Sequence, residues 1–268
     1  MGDPRSVMWF RRDLRLADHP ALNAAIAAVA GTSGRVVPLF VIDPRLWRSA
    51  GPARRRYLVQ SLARLDDAMD HALVVRSGNP VDVVAAVAHE VDAATVHVSS
   101  DFGPYGATRD QTVERVLAGV GVDLTRTGSP YAVSPGRVRK GDGTPYRVYS
   151  PFYRAWASHG WRAPALAPLS IPWANGVQSE AIPAVDDPAD PPQLPEAGEE
   201  AALARWHQFR ETSLDTYADD RNRPDIDGSS RLSVHLKYGE IHPRSLLAEL
   251  GDSKRHEVFR KELAWREF

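Results

Sequence analysis

Short apolar runs alternate with stretches of helical periodicity through the first 130 residues. SVMWF (6–10), RVVPLFVID (35–43), ALVVRSG (72–78), TVHVSS (95–100) and VDLTRTG (122–128) each fit a strand. Between them lie PALNAAIAAVA (20–30), residues 52–71, PVDVVAAVAHEV (80–91) and residues 107–118, all helix-like. In 52–71, Leu58, Leu62, Leu65 and Met69 recur at intervals of four, three and four, which puts them on one helical stripe. Strands alternating with helices of this length build βαβ units and a parallel sheet covered on both faces. The expected fold of residues 1–130 is therefore α/β, a doubly wound, Rossmann-like parallel sheet of five strands. Ligands of such sheets bind beyond the carboxyl ends of the strands. Here those ends read RRDLR, DPRLW, SGNP and SDFGPYG.

The pattern then changes. Residues 131–160 are irregular and aromatic, and 161–196 hold eight of the 21 prolines. Residues 131–197 thus read as an irregular segment and an extended interdomain linker. From 198 onward the pattern is helical, at 198–219, 230–238, 243–250 and from 254, with Gly239 as a stop and Pro243 as a start. The last helix sets Val258, Phe259 and Leu263 on one side, and no Gly, Asn or Pro closes it. Residues 198–268 are too few to bury a good core alone. The expectation is the first part of a larger helical domain, with a large apolar patch left open.

Composition narrows the chemistry. Hydrophobic residues at 43% and charged residues at 25% are ordinary for a globular protein. The net charge of −1 means that a nucleic-acid surface must be a local patch. The absence of cysteine removes disulfides, thiolate metal sites and a cysteine nucleophile, and fits a cytoplasmic location. No apolar run approaches the roughly 18 residues of a membrane helix, so no membrane partner is expected. The nine histidines lack metal-binding spacing, so no metal site is expected, and there is no nucleophile elbow or Walker motif.

Four stretches remain. WFRRDLRLADHPAL (9–22) sets Arg11, Arg12, Asp13 and Arg15 after the first strand, as an anion or interdomain site or as a solvated turn with internal Arg–Asp pairs. In GSSRLSVHLKYG (228–239), Ser229 or Ser230 can cap a helix whose free amides, with Arg231, suit phosphate; an ordinary cap is the bland alternative. TYADDRNRPDID (216–227) offers an aromatic and two arginines for a flavin or DNA contact, or simply a helix end. KELAWREF (261–268) places Glu262, Trp265 and Arg266 at i, i+3 and i+4, hence on one face. A carboxylate, a flat ring and a guanidinium suit a nucleobase; a core Trp265 with solvated charges is the alternative.

In this order the motifs are specific. VMWFRRDLRLADHPAL, SSRLSVHLKYGEIHPRSL and ELAWREF resemble the opening strand, the flavin-phosphate segment and the signature helix of the DNA photolyase/cryptochrome family, and Tyr217 stands twelve residues before Ser229 as in the family pattern. The resemblance covers residues 6–268. It implies an antenna-binding α/β domain and a helical domain holding FAD, here cut short at residue 268. Tyr217, Ser229, Ser230, Arg231, Leu232 and Ser233 resemble the residues around FAD. Arg221 resembles a DNA-backbone contact. Glu262 resembles the carboxylate on the lesion's pyrimidine edge, and Trp265 the wall against which a flipped dimer packs. Arg266 resembles a residue lining the same mouth. Phe259 stands where many members have Trp. Arg54, Asp101 and Lys237 resemble an antenna site of the 8-hydroxy-deazaflavin type more than the methenyl-tetrahydrofolate type.

The implied activity is light-driven splitting of cyclobutane pyrimidine dimers in damaged DNA by electron transfer from reduced FAD, a carbon–carbon lyase reaction of a protein monomeric when full length. The 268 residues alone are expected to bind FAD weakly or not at all and not to repair DNA. A cryptochrome-like photoreceptor and a non-catalytic antenna- or nucleotide-binding protein are the competing readings.

Overall fold

The computed structural model describes residues 5–185 and 192–268. Five strands form one parallel sheet: β1 (Arg5–Phe10), β2 (Arg35–Ile42), β3 (Val74–Ser77), β4 (Ala93–Val98) and β5 (Asp123–Arg126), in the order β3-β2-β1-β4-β5. β1 pairs with β2 in the register Val7↔Val37 and with β4 in the register Val7↔Val96. The strand order reverses between β1 and β4, which opens a crevice at their carboxyl ends. The expected α/β class, strand count and parallel sense all hold.

The strands read as apolar runs because both faces are covered. α1 (Pro20–Val29) and α3 (Pro52–Asp67) cover one face, burying Leu22, Leu62, Leu65 and Met69 against Met8 and Phe40. α4 (Pro80–Glu90) and α5 (Pro104–Ala118) cover the other, burying Val84, Val113 and Leu117 against Trp9 and Val96. The short α2 (Pro44–Ser49) follows β2 directly. Each of these five helices opens with proline at its first or second position, where the missing N–H costs nothing.

Residues 149–159 correct the sequence reading. They form a helix, α6 (Tyr149–His159), inside the stretch expected to be irregular. Phe152, Tyr153 and Trp156 recur at helical spacing and are buried, but Ser150 and Pro151 in the first turn disguise the pattern. α6 joins the helical half: α7 (Glu199–Thr212), α8 (Tyr217–Asp220), α9 (Ser233–Tyr238), α10 (Pro243–Ala248) and α11 (Lys254–Trp265). Their common core contains Trp156, Trp206, Phe209, Leu246, Phe259 and Leu263. With α6 in place, the large apolar side chains exposed on this half, among the described residues, are Val148, Ile226, Trp265 and Phe268.

The expected helix at 198–219 breaks into α7 and α8, and the one at 230–238 starts at Ser233. Neither Ser229 nor Ser230 caps it. Arg231 adopts a left-handed φ of 52°, and Leu232 occupies the cap position without a side-chain cap bond. Gly239 does end α9, at φ 74°, and Pro243 does start α10.

The proline-rich stretch follows the sheet in part. Val36 N–H donates to Pro172 O at 2.8 Å and Ala174 N–H to Val36 O at 2.9 Å, so this segment takes the place beside β2 that β3 does not reach. Polar clusters hold the helical half to the sheet half. Arg15 donates to Gly239 O at 2.9 Å, and the Leu16 and Ala17 amides donate to Glu199 at 2.7 and 3.0 Å. Arg244 pairs with Asp18 at 2.5 Å. Gly239 packs so closely that an added Cβ would lie 2.0 Å from Arg12 O.

Candidate functional site

Two surfaces concentrate the residues singled out in the sequence. The first is a groove over the carboxyl ends of β1 and β2. Arg12, Phe40, Val41, Leu46, Trp47, Arg54, Lys237 and Tyr238 line one part of it, about 400 Å³ in volume. A second part, about 290 Å³, continues over Trp9 to Asp101, Tyr105 and Arg109. The two share Arg11, Arg12, Phe40, Val41, Asp43 and Leu46, so they form one groove at the crevice that the strand order creates.

Arg54 comes from α3 and Lys237 from α9, so the groove needs both halves of the molecule. The Tyr238 hydroxyl donates to Arg54 O at 3.0 Å, and Tyr57 packs on Tyr238 with centroids 4.9 Å apart. Arg12, Arg54 and Lys237 pair with no carboxylate among the described residues. Burial, then Arg54 and Arg12, pulls the Lys237 ammonium below its ordinary pKa. Three cations without an ion-pair partner, beside an apolar floor, can attract an anion.

Asp101 is placed differently. Its carboxylate accepts from the Gly103 amide at 3.0 Å and from Arg109 at 3.4 Å, and it fills the space where a Cβ on Gly106 would stand. It shapes the loop before α5 from the groove wall. Tyr105 donates to Asp43, and burial followed by that bond pushes its hydroxyl up to about 12.

The second surface is the outer side of α11. Trp265 is 50% exposed and lies flat on Tyr149, with centroids 3.7 Å apart and 8° between planes. Glu262, one turn earlier, meets Arg221 at 2.5 Å. The Tyr149 hydroxyl donates to Lys261 O at 2.6 Å, which fixes α6 against α11. Arg266 does not share this face. It turns inward and donates to Leu236 O at 3.2 Å, while its Nη1 is buried without a partner. Phe259 is core, packed among Trp206, Phe209 and Tyr217, because the helix turns it away from Trp265.

Between these surfaces runs the serine loop. Arg205 donates to Ser229 O at 2.6 Å and to Ser230 O at 2.9 Å, and Arg231 meets Asp227 at 2.8 Å. Ser230 Oγ accepts weakly from the Leu232 amide, at 3.4 Å. The hydroxyls of Ser229 and Ser233 have no intramolecular partner among the described residues. Tyr217 is buried under the loop's start, with the Arg221 guanidinium 5.6 Å from its ring centre.

The model of the DNA photolyase family matches residues 6–170. The chain belongs to the DNA photolyase family. It is 38% identical to a deoxyribodipyrimidine photo-lyase of Thermus thermophilus over 98% of this chain and 59% of that protein. The corresponding Streptomyces griseus protein is 33% identical over 98% and 59%. The chain thus spans about three-fifths of the length of these curated photolyases. It also aligns, at 31% identity and over the full length of both, with an uncharacterized 31.6 kDa protein of a Synechococcus species. A class III photolyase of Agrobacterium tumefaciens superposes with a TM-score of 0.85 at 29% identity, over 100% of this chain and 58% of that one. A Synechocystis cryptochrome gives 0.86 at 22% identity, over 100% and 61%, which is agreement of fold.

Within this photolyase fold the sequence reading missed several residues that build the two surfaces. Glu240 is fully buried and accepts from Tyr57 (2.7 Å), Ser61 (2.6 Å) and the Gly198 amide (2.7 Å), with His235 Nδ1 at 2.7 Å. It ties α3, which carries Arg54, to α9, which carries Lys237. Asp110 pairs with both Arg11 (2.6 Å) and Arg109 (2.8 Å) beneath the groove. Tyr149 backs Trp265. Their partners Tyr57, Ser61, Arg11 and Trp265 lie far from them in sequence, so no local spacing marks those contacts.

The RRDLR turn resolves toward the interdomain reading. Arg15 is buried and crosses to the helical half, and Asp13 is buried against Ser99 at 2.6 Å and His19 at 3.4 Å. Burial alone would raise the Asp13 carboxyl, but His19, Ser99 and Arg11 together hold it below the usual range. No helix is long and apolar enough to cross a membrane among the described residues.

Proposed function

We propose that the chain carries the light-gathering groove and the lesion-facing side of a light-dependent DNA repair enzyme, one that splits cyclobutane pyrimidine dimers. The observation that carries this reading is Trp265, half exposed and backed by Tyr149, one helical turn from the Arg221–Glu262 pair. The outer face of Trp265 offers an apolar plate for a dimer taken out of the duplex, and a damaged step costs less to unstack than an intact one. Glu262 can accept from a pyrimidine N–H at the base edge. Arg221, at the rim, faces the backbone phosphates. Arg266 contributes by packing and not by contact, since it points inward.

The serine loop fits the FAD expected by family membership. Ser229 and Ser233 have free hydroxyls, Arg231 is exposed and pairs through its Nε with Asp227, and Arg205 fixes the loop that carries them. Tyr217, Ser230 and Leu232 support that loop from below. When bound, FAD supplies the photoexcited electron that weakens the dimer's carbon–carbon bonds. The chain's own residues hold the dimer against Trp265, orient its edge through Glu262 and keep water from the stacked face.

The groove fits an antenna chromophore. Phe40, Val41, Leu46 and Trp47 make it apolar, and Arg12, Arg54 and Lys237 give it positive charge. The preference for an 8-hydroxy-deazaflavin over methenyl-tetrahydrofolate comes from the family resemblance of Arg54, Asp101 and Lys237, and positive charge in the groove suits an anionic chromophore. Asp101 keeps the loop in shape. The reading describes a protein active in the cytoplasm on DNA and monomeric at full length.

A dinucleotide cyclobutane dimer tests the lesion face directly. Its addition should change the tryptophan emission of the chain saturably, and Trp265→Phe should abolish most of that change. No response in the unsubstituted chain would remove the repair reading and favour a photoreceptor or a non-catalytic antenna-binding protein.

A further inference from the structure

Residues 134–154 hold Arg137, Arg139, Lys140, Arg147 and Arg154 against a single carboxylate, Asp142, in a chain whose net charge is −1. The segment from Ser134 to Val148 is an exposed loop, and its shape is internally fixed. Arg139 donates to Gly136 O at 2.8 Å and to Gly143 O at 3.0 Å, and the Lys140 amide donates to Thr144 O at 3.0 Å. Asp142 is occupied by the amide and hydroxyl of Thr144, at 2.9 and 2.6 Å. Arg137, Lys140 and Arg147 have no ion-pair partner among the described residues.

The loop is stapled beside the aromatic plate. Tyr146 packs edge-on to Phe152 at 6.3 Å, and Arg147 stands two residues before Tyr149, the ring beneath Trp265. Of the nearby carboxylates, Asp142 has its oxygens turned into the loop, and Glu267 is held inward by the Val133 amide and the Trp156 indole N–H.

From this we infer that the 134–148 loop is a second contact for duplex DNA, with Arg137, Lys140 and Arg147 meeting phosphates beside the aromatic plate. The inference rests on the lesion-face reading for its orientation, but the contact is to backbone charge and needs no lesion. A duplex carries one phosphate per about 1.7 Å of axis, so an ordered loop with three unpaired cations meets several phosphates at once. Such contacts position the duplex and carry no sequence information.

The test is salt dependence. Affinity of the chain for an undamaged duplex is measured by fluorescence anisotropy between low and moderate salt, beside the triple variant R137Q/K140Q/R147Q. Each phosphate contact contributes about 0.9 to the slope of log K against log salt, so the variant's slope should be shallower by roughly two to three. The three side chains are exposed, and an unchanged thermal melt verifies the fold. An unchanged slope, or failure of the unsubstituted chain to bind duplex at low salt, would overturn the inference. A dimer-containing duplex run in parallel separates the two readings. A shallower slope without any dimer preference would leave the loop assignment standing and sink the lesion face.

Discussion

Trp265 and Tyr149 lie face to face, 3.7 Å between centroids and 8° from parallel, one from α11 and the other from the first turn of α6. One face of the indole is therefore closed, and only the other can meet a ligand. The pair also welds the two helices, because the Tyr149 hydroxyl donates to Lys261 O.

Substitutions at Tyr149 separate these roles. Tyr149→Phe keeps the stack and loses one hydrogen bond, which costs about 1 kcal/mol of stability. Tyr149→Ala loses the ring pair and its buried area, about 2–3 kcal/mol in all, and frees the indole to rotate. Chemical denaturation measures both, and tryptophan anisotropy should fall only in the alanine variant.

The antenna groove should answer to charge. Replacing Arg54 and Lys237 by glutamine should weaken binding of an 8-hydroxy-deazaflavin by about tenfold or more at low salt, and by less at high salt, because exposed cations are screened. Absorbance titration of the bound chromophore follows this. Asp101→Asn should affect the fold of the loop before α5 more than the affinity, since its oxygens serve Gly103 and Arg109.

Glu240 should be the most sensitive position of the seam. Glu240→Ala strands Tyr57, Ser61, the Gly198 amide and His235 without their acceptor. A loss of about 3–5 kcal/mol is expected, the range for breaking a buried charged network. Glu240→Gln keeps the shape and should cost less. Thermal unfolding orders the two variants, and antenna affinity should fall with them, because Glu240 links the helices bearing Arg54 and Lys237.

Stability should also fall with acid. His242 is buried at the seam, where its Nε2 reaches Ser129 O at 2.9 Å and its Nδ1 accepts from the Arg244 amide at 3.1 Å, an arrangement that suits the neutral ring. Burial, only partly offset by Asp18, pulls its pKa from 6.5 to about 4. Between those values the unfolded chain binds the extra proton and the folded one does not, so stability rises with pH. The contribution is complete above about pH 6.5 and is lost as pH falls toward 4, a change of roughly 3 kcal/mol. Asp18, whose carboxyl lies low at about 2 against the burial that would raise it, accepts from the Ala165 amide and from Arg244. Its contribution is lost only below about pH 4. Denaturation midpoints between pH 7 and 4 should fall in the unsubstituted chain and flatten in His242→Gln.

The sequence made the sheet legible because strands covered on both faces leave unmistakable apolar runs, and helices with a proline start announce themselves. Gly239 and Pro243 gave away the corner between α9 and α10. α6 stayed hidden because Ser150 and Pro151 interrupt the very turn where Tyr149 later proves to matter. The serine cap failed for a local reason: the left-handed Arg231 shifts the helix start past both serines. Spacing put Glu262, Trp265 and Arg266 on one face, but a helix end is decided by tertiary partners, and Leu236 O draws Arg266 inward. Arg54 and Lys237, 183 residues apart, met in one groove only through the resemblance, since nothing periodic relates them.

The central claim is that the outer side of α11 recognises a pyrimidine dimer. The most direct measurement is competition between a duplex with one cyclobutane dimer and its undamaged counterpart, for the unsubstituted chain, Glu262→Gln and Trp265→Ala. The account predicts a clear preference for the damaged duplex, reduced about tenfold or more by Trp265→Ala, in keeping with the roughly 1–3 kcal/mol of a base–aromatic stack, and reduced less by Glu262→Gln. Equal affinity for the two duplexes, or a preference that survives both substitutions, would contradict it.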